Sequence, residues 1–174
     1  MRLTLLLLRH AEAGPAVAGQ RDRDRTLTCR GRRDAERVGR ELARRGVAPD
    51  LALSSGARRA DETMNLVLNQ RPADPRRMVA PELYEADADT LVRWLRRSGG
   101  RARTILMVGH NPSIEALAML IHGGDYGSDA RLSAGFPPGA LAVCEFEASD
   151  WGGFQPKLAT PRALLLPELL SDAN

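Results

Sequence analysis

The chain has 174 residues, 43% hydrophobic and 27% charged, which is enough to bury the core of one globular domain. Its apolar runs are all shorter than the roughly 20 residues that span a bilayer, which argues against a membrane protein. The formal net charge of +3 comes from basic residues interleaved with acidic ones, and aromatic residues are only 4%. Nucleic acid, which would need a basic surface with stacking aromatics, is therefore not an expected partner.

The cysteines and the amino terminus indicate where the protein resides. Cys29 and Cys144 are far apart and form neither a CxxC pair nor a disulfide framework. The leucine-rich run at residues 3–8 is too short for a secretory signal and is followed by charge, so it predicts a buried strand instead. We expect a cytoplasmic protein with a single domain over residues 1–174.

Strand-like and helix-like segments alternate along the chain, which is typical of a layered α/β domain. After the strand at residues 3–8 and a polar loop, Thr28 is predicted to cap a helix that ends near Gly46. The elements that follow are a strand at 51–53, a helix at 57–69, a weaker strand at 78–80, a helix capped by Asp87 or Asp89, a strand at 104–108 and a helix from about Ile114.

The last third of the chain is less regular. Residues 123–139 are rich in Gly, Pro and Ser and are predicted to form a long loop, of a length that is often functional. A strand is predicted at 141–146, with residues 154–159 as its hairpin partner. We expect the leucine-rich tail, residues 161–174, to contain a short helix. No internal repeat or linker divides the chain.

Three predicted strands end in residues that suit phosphate. These ends are Arg9-His10, Ser54-Ser55 leading to Arg58-Arg59, and Gly109-His110. In a parallel sheet with helices between the strands, such ends lie along one edge, where open α/β folds bind ligands. Arg59 would lie in the first turn of its helix, near free backbone N–H groups. Two histidines and two arginines are thus predicted to converge on one phosphate, and no HxxxH, HxD or CxxC spacing predicts a metal site.

Five segments in order resemble a known family. They are LRHAEA at 8–13, DRTLTCRG at 24–31, SSGARRADET at 54–63, PEL at 81–83 and VGHNP at 108–112. Together they resemble the histidine phosphatase superfamily, branch 1, in its small phosphohistidine phosphatase (SixA-type) members. The resemblance implies a three-layer α/β/α sandwich with a mostly parallel central sheet, similar to phosphoglycerate mutase, and no metal or other cofactor.

The resemblance also implies a covalent mechanism. His10 would attack phosphorus in line, and water would then hydrolyse the phosphohistidine intermediate. Arg9, Arg59 and His110 would bind the phosphoryl oxygens. His10 must be neutral to attack, whereas His110 would work better as an imidazolium. A glutamate two residues after a leucine acts as general acid in larger relatives, which fits Glu85 and leaves Glu82 as a rival.

Three functions remain open from the sequence. The leading hypothesis is a phosphatase for phosphohistidine in proteins, because no large helical insertion follows the Arg59 helix to cover a small substrate. The alternatives are a phosphatase of small phosphate esters, such as sugar or nucleotide derivatives, and a non-catalytic phosphate-binding regulatory module. The presence of both His10 and His110 argues against the last. For neighbouring residues the structural interpretation is favoured: Ser54 and Ser55 as helix caps, and Arg58 on a solvated face.

Overall fold

The computed structural model describes residues 1–70, 74–123 and 135–171 of the chain. Its strands are β1 (Arg2–Arg9), β2 (Leu51–Ser54), β3 (Arg76–Val79), β4 (Thr104–Gly109), β5 (Leu141–Glu147) and β6 (Thr160–Leu165). They form one 6-stranded sheet in the order β3-β2-β4-β1-β5-β6. Neighbours among the first four in this order pair in parallel, whereas β5 is antiparallel to both β1 and β6.

Helices cover both faces of this sheet, which confirms the three-layer α/β/α fold. They are α1 (Cys29–Arg44), α2 (Arg58–Leu68), α3 (Ala88–Ser98) and α4 (Ser113–Ile121). Leu6 and Leu8 of β1 pack in one core with α1 and α2, while Leu5 and Leu7 pack in the other core with α3 and α4. Successive residues of a strand point to opposite faces, so the leucine run of β1 supplies both cores.

Helix α1 begins and ends where its sequence predicts. The Thr28 hydroxyl accepts a hydrogen bond from the Gly31 N–H at 2.9 Å, which satisfies one of the free donors of the first turn. Gly46, with φ of 68°, ends the helix in the left-handed conformation that favours glycine. A Cβ atom at Gly31 would lie 2.1 Å from the carbonyl oxygen of Glu12. Glycine at this position therefore lets the loop after β1 lie directly on α1.

The carboxyl-terminal part differs from the prediction in two places. The hairpin partner of β5 is β6, at Thr160–Leu165, and not residues 154–159, where Pro156–Leu158 form a 3-10 turn instead. The tail also differs, because it begins with strand β6, and up to residue 171 its short helix is a single 3-10 turn, Pro167–Leu169. Pro161 is tolerated in β6 because this is an edge strand, where a missing N–H costs little.

Two further predictions concern the loop at residues 123–139 and the lack of a membrane-spanning helix. Most of the predicted loop at residues 123–139 lies outside the described residues. Among the helices that are described, none combines the length and the apolar character needed to cross a membrane.

Candidate active site

A cleft of about 340 Å³ opens at the carboxyl edge of the sheet, beside the ends of β1 and β4. It is lined by Arg9, His10, Asp22, Arg25, Arg59, Tyr84, Glu85, His110 and Asn111. The structure thus brings together the five residues to which the sequence assigns chemistry, namely Arg9, His10, Arg59, Glu85 and His110. The rival glutamate, Glu82, is not among the lining residues.

The two ring nitrogens of His10 have different partners. Nδ1 lies 2.7 Å from the carbonyl oxygen of Ala11, and because a carbonyl only accepts, Nδ1 is the nitrogen that carries the proton. Nε2 is therefore unprotonated, and its lone pair accepts a hydrogen bond of 3.3 Å from Nε of Arg59. Burial, with added effects of Arg59 and Arg9, lowers the pKa of His10 to about 4. The ring is thus neutral at pH 7, with one nitrogen able to act as a nucleophile.

His110 lies beside His10, with a distance of 5.1 Å between the ring centroids. Its Nε2 is 2.7 Å from the Ser55 hydroxyl. Burial, with added effects of His10 and Arg59, lowers the pKa of His110 to about 3. The expected imidazolium at His110 therefore does not hold for this arrangement of groups. The Ser55 hydroxyl also accepts a hydrogen bond from the Ala57 N–H at 3.3 Å, directly before α2, so Ser55 contacts both the start of this helix and a site histidine.

Arg59, and not Arg58, faces the cleft. Arg59 is only 5% exposed. The Arg58 side chain is 61% exposed and pairs with Glu62 at 3.2 Å, as expected for a solvated helix face. Successive helix residues point about 100° apart, so only one of two adjacent arginines can enter the cleft.

Thr63 fixes Arg59 relative to His10. Its buried hydroxyl donates to the Arg59 carbonyl at 2.7 Å and accepts from the Ala11 N–H at 3.0 Å. Ala11 is also the residue whose carbonyl orients His10. One hydroxyl therefore connects helix α2 to the turn that sets the His10 tautomer.

Arg9, the last residue of β1, contributes a positively charged side chain to the cleft. Its Nη1 donates to the Phe136 carbonyl at 2.7 Å, which fixes the side chain. Its Nε is buried and has no hydrogen-bond partner among the described residues. Burial lowers the pKa of the guanidinium from its usual value, and Glu115 opposes that effect, so the group remains a cation.

Glu85 and the residues that sequence reasoning missed complete the cleft. Glu85 is exposed and follows Tyr84. The rings of Tyr84 and His110 pack in a T-shaped arrangement with their centroids 5.3 Å apart. The Tyr84 hydroxyl donates to the carboxylate of Asp22, which also pairs with Arg59. Asp22 lies in a one-turn 3-10 helix, Asp22–Asp24, within the polar loop after β1. The sequence offers one signal for each of these residues. For Asp22 it is the alternating charge at residues 21–25, and for Tyr84 it is the position next to Glu85.

Comparison with known proteins identifies similar chains. A family model described as "Histidine phosphatase superfamily (branch 1)" matches residues 5–92. An uncharacterised protein of Mycobacterium tuberculosis (strain ATCC 25618 / H37Rv) is 34% identical over 155 residues, which are 87% of this chain and 94% of that protein.

Two solved structures are similar over nearly their whole length. A proposed phosphohistidine phosphatase SixA from Agrobacterium tumefaciens has a TM-score of 0.80 and 30% identity, and the match covers 95% of this chain and 99% of that one. A proposed phosphohistidine phosphatase SixA from Nakamurella multipartitia has a TM-score of 0.77 and 30% identity, covering 96% of this chain and 97% of that one.

Proposed function

The chain belongs to branch 1 of the histidine phosphatase superfamily and is a phosphatase, and we propose that its substrates are proteins phosphorylated on histidine. The observation that carries the proposed chemistry is the unprotonated Nε2 of His10 beside the Arg59 guanidinium. Similarity to two proposed phosphohistidine phosphatases supports the substrate class.

The first step is an in-line displacement at phosphorus. His10 Nε2 forms a bond to phosphorus as the bond between phosphorus and the leaving group breaks. Arg59 and Arg9 bind the non-bridging oxygens and offset their negative charge. Because the Nδ1 proton is held by the Ala11 carbonyl, the ring keeps the tautomer that attack requires.

His110 acts on the charge that the phosphoryl group brings. A bound anion favours the protonated imidazole and raises its pKa, which burial keeps low in its absence. Nε2 of His110 is engaged by Ser55, and Nδ1 has no hydrogen-bond partner among the described residues, so Nδ1 is the donor assigned to a phosphoryl oxygen. In the second step water attacks phosphorus, the bond to His10 breaks, and neutral imidazole is restored.

The shape of the entrance supports a protein substrate. Residues 69–75, which connect α2 to β3, are too few for the helical insertion that would cover a small molecule. Glu85 and Tyr84 line the cleft while lying partly or wholly in solvent. Such a cleft admits a phosphorylated side chain that projects from another protein.

The experiment is a comparison of kcat/KM across substrates. We expect a phosphohistidine-carrying protein or peptide to exceed sugar phosphates and nucleoside monophosphates by about 100-fold, a discrimination within the range that specific contacts provide. His10→Ala should abolish turnover of each substrate, while Arg58→Ala, outside the cleft, serves as control. Preference for a small ester would replace the proposed substrate class. Phosphate binding without turnover of any substrate would indicate a regulatory module.

A further inference from the structure

A carboxylate of the chain itself is bound to the arginine that is assigned to substrate phosphate. Nη2 of Arg59 donates to Oδ2 of Asp22 at 2.8 Å, and Nη1 donates to the Asp22 carbonyl at 2.7 Å. Nε of the same guanidinium donates to His10 Nε2. Since Nε and Nη2 form one edge of the guanidinium, a carboxylate oxygen and the nucleophilic nitrogen share that edge. A phosphoryl group transferred to His10 would present its oxygens to the same edge.

Two further donors hold Asp22 in this position. The Tyr84 hydroxyl donates to Oδ2, and Nε of Arg25 donates to Oδ1 at 2.8 Å. The hydrogen bond from Tyr84, followed by those from Arg59 and the charge of Arg25, lowers the pKa of Asp22 to about 2. Asp22 is therefore an anion at neutral pH, oriented by three side chains of the cleft.

We propose that Asp22 is an intramolecular competitor of phosphate for Arg59, an inference that rests on the function proposed above. A phosphate and a carboxylate repel each other and cannot share one guanidinium edge, so binding requires Asp22 to withdraw. Withdrawal is feasible without disturbing the core. The Asp22 side chain is 51% exposed, and no residue of its one-turn helix is buried.

Competition of this kind weakens the binding of every phosphate by the same factor. The apparent Kd is the intrinsic Kd divided by the fraction of molecules in which Asp22 has withdrawn. Orthophosphate and small esters make their contacts within the cleft alone, so this factor leaves them weakly bound. A phosphorylated protein adds contacts outside the cleft and keeps useful affinity. Asp22 thereby keeps Arg59 clear of free phosphate, which is also the product.

The test is the affinity of the intact protein for orthophosphate, measured by isothermal titration calorimetry. Asp22→Asn retains the shape of the side chain but removes the charge, so we expect orthophosphate to bind about tenfold more tightly, equal to about 1.4 kcal/mol. Asp24→Asn is the matched control, because Asp24 lies in the same turn and pairs with the exposed Arg21. We expect this control to bind orthophosphate as the unmodified protein does.

Unchanged or weaker orthophosphate binding in Asp22→Asn would overturn the proposal. Asp22→Ala, which also removes the hydrogen-bond acceptor, should show the same tightening, and circular dichroism verifies that each variant is folded. Kinetics on a small ester add a second readout. Competition predicts a lower KM, whereas a large loss of kcat with unchanged orthophosphate affinity would make Asp22 part of the chemical step and contradict the proposal. Because binding needs no turnover, tighter binding together with inactivity on phosphohistidine would reject only the proposed substrate.

Discussion

At the scale of single residues, His10 and His110 show how burial controls protonation. A histidine in water has a pKa of about 6.5, so roughly a quarter of such rings are charged at pH 7. Burial lowers the pKa of His10 to about 4 and that of His110 to about 3, and the nearby Arg59 acts in the same direction. Both rings are therefore neutral over the whole physiological range. His10, the proposed nucleophile, therefore keeps one ring nitrogen unprotonated throughout that range.

These lowered pKa values predict how stability depends on pH. Because the folded pKa of His10 lies below the unfolded pKa of about 6.5, the unfolded state binds more protons as the pH falls. The stability contributed by the neutral ring is fully present above pH 6.5 and is lost progressively down to about pH 4. His110 acts with the same sign. We expect the free energy of unfolding, from urea titrations, to decline less between pH 7 and pH 4.5 in His10→Gln than in the unmodified protein. Equal declines would show that His10 titrates normally in the fold.

Glu85 gives a second prediction at this scale. Imidazole leaves as a weakly basic group, whereas an alkoxide needs a proton from a general acid. Glu85→Gln should therefore slow ester hydrolysis by roughly 100-fold, within the range of general acid catalysis, while phosphohistidine hydrolysis stays close to its original rate. Glu82→Gln is the control, because Glu82 is outside the cleft and its loss should affect neither reaction. If Glu85→Gln slowed the hydrolysis of both substrates equally, the contribution of Glu85 would not depend on the basicity of the leaving group.

At the scale of elements, close contact between α1 and α2 positions the helix that carries Arg59. Gly39 of α1 faces Val67 of α2, and a Cβ atom at Gly39 would lie 2.5 Å from the Val67 carbonyl oxygen. That distance is far below van der Waals contact, so the two helices approach as closely as they do only because Gly39 has no side chain. The position of α2, and with it Arg59, depends on this glycine.

Gly39→Ala should accordingly destabilise the fold. Overpacking of this kind costs about 1–3 kcal/mol, since the helices must separate to admit the methyl group. Gly153→Ala is a suitable control, because a Cβ atom there meets nothing within 4 Å. Urea denaturation of the two variants measures the difference. A Gly39→Ala protein as stable as the control would show that the helix pair adapts without strain.

Periodic segments of the fold could be predicted from the sequence, and irregular ones could not. The leucine run of β1 and the capped helix α1 follow from local pattern, because an apolar run and a helix cap are properties of neighbouring residues. The position of β6 depends on pairing with β5, a contact between distant segments that local pattern does not contain. The same limit applies to the tail, where Leu164 and Leu165 lie in this edge strand and Pro167–Leu169 form a one-turn 3-10 helix.

The residues of the candidate site likewise fall into those that could be predicted from the sequence and those that could not. Arg9, His10 and His110 follow strand ends, so the topology alone brings them together. Asp22 reaches the cleft through an irregular loop, and Tyr84 through a 3-10 turn, and neither position follows from periodicity. The protonation of His110 could not be predicted either, because it depends on burial and on the charges that surround the ring in the fold.

At the scale of the whole molecule, the strand order explains why the site exists. Strand β4 lies between β1 and β2, with Arg9 beside Gly109 and Ser54 beside Val108. The segments that follow these strands therefore leave the sheet side by side and deliver His10, His110 and helix α2 to one cleft. Parallel strands joined through helices place all three ends on the same edge. The central claim of a covalent phosphoryl transfer through His10 rests on this convergence.

The most direct test of that claim is to trap the intermediate. The protein is mixed briefly with a radiolabelled phosphoryl donor, quenched with base and digested, and the labelled peptide is identified by mass spectrometry. We predict one label on His10, stable in base and labile in acid as a phosphoramidate is, and no label in His10→Ala. Turnover by His10→Ala at the rate of the unmodified protein, or a label on a residue other than His10, would contradict the account.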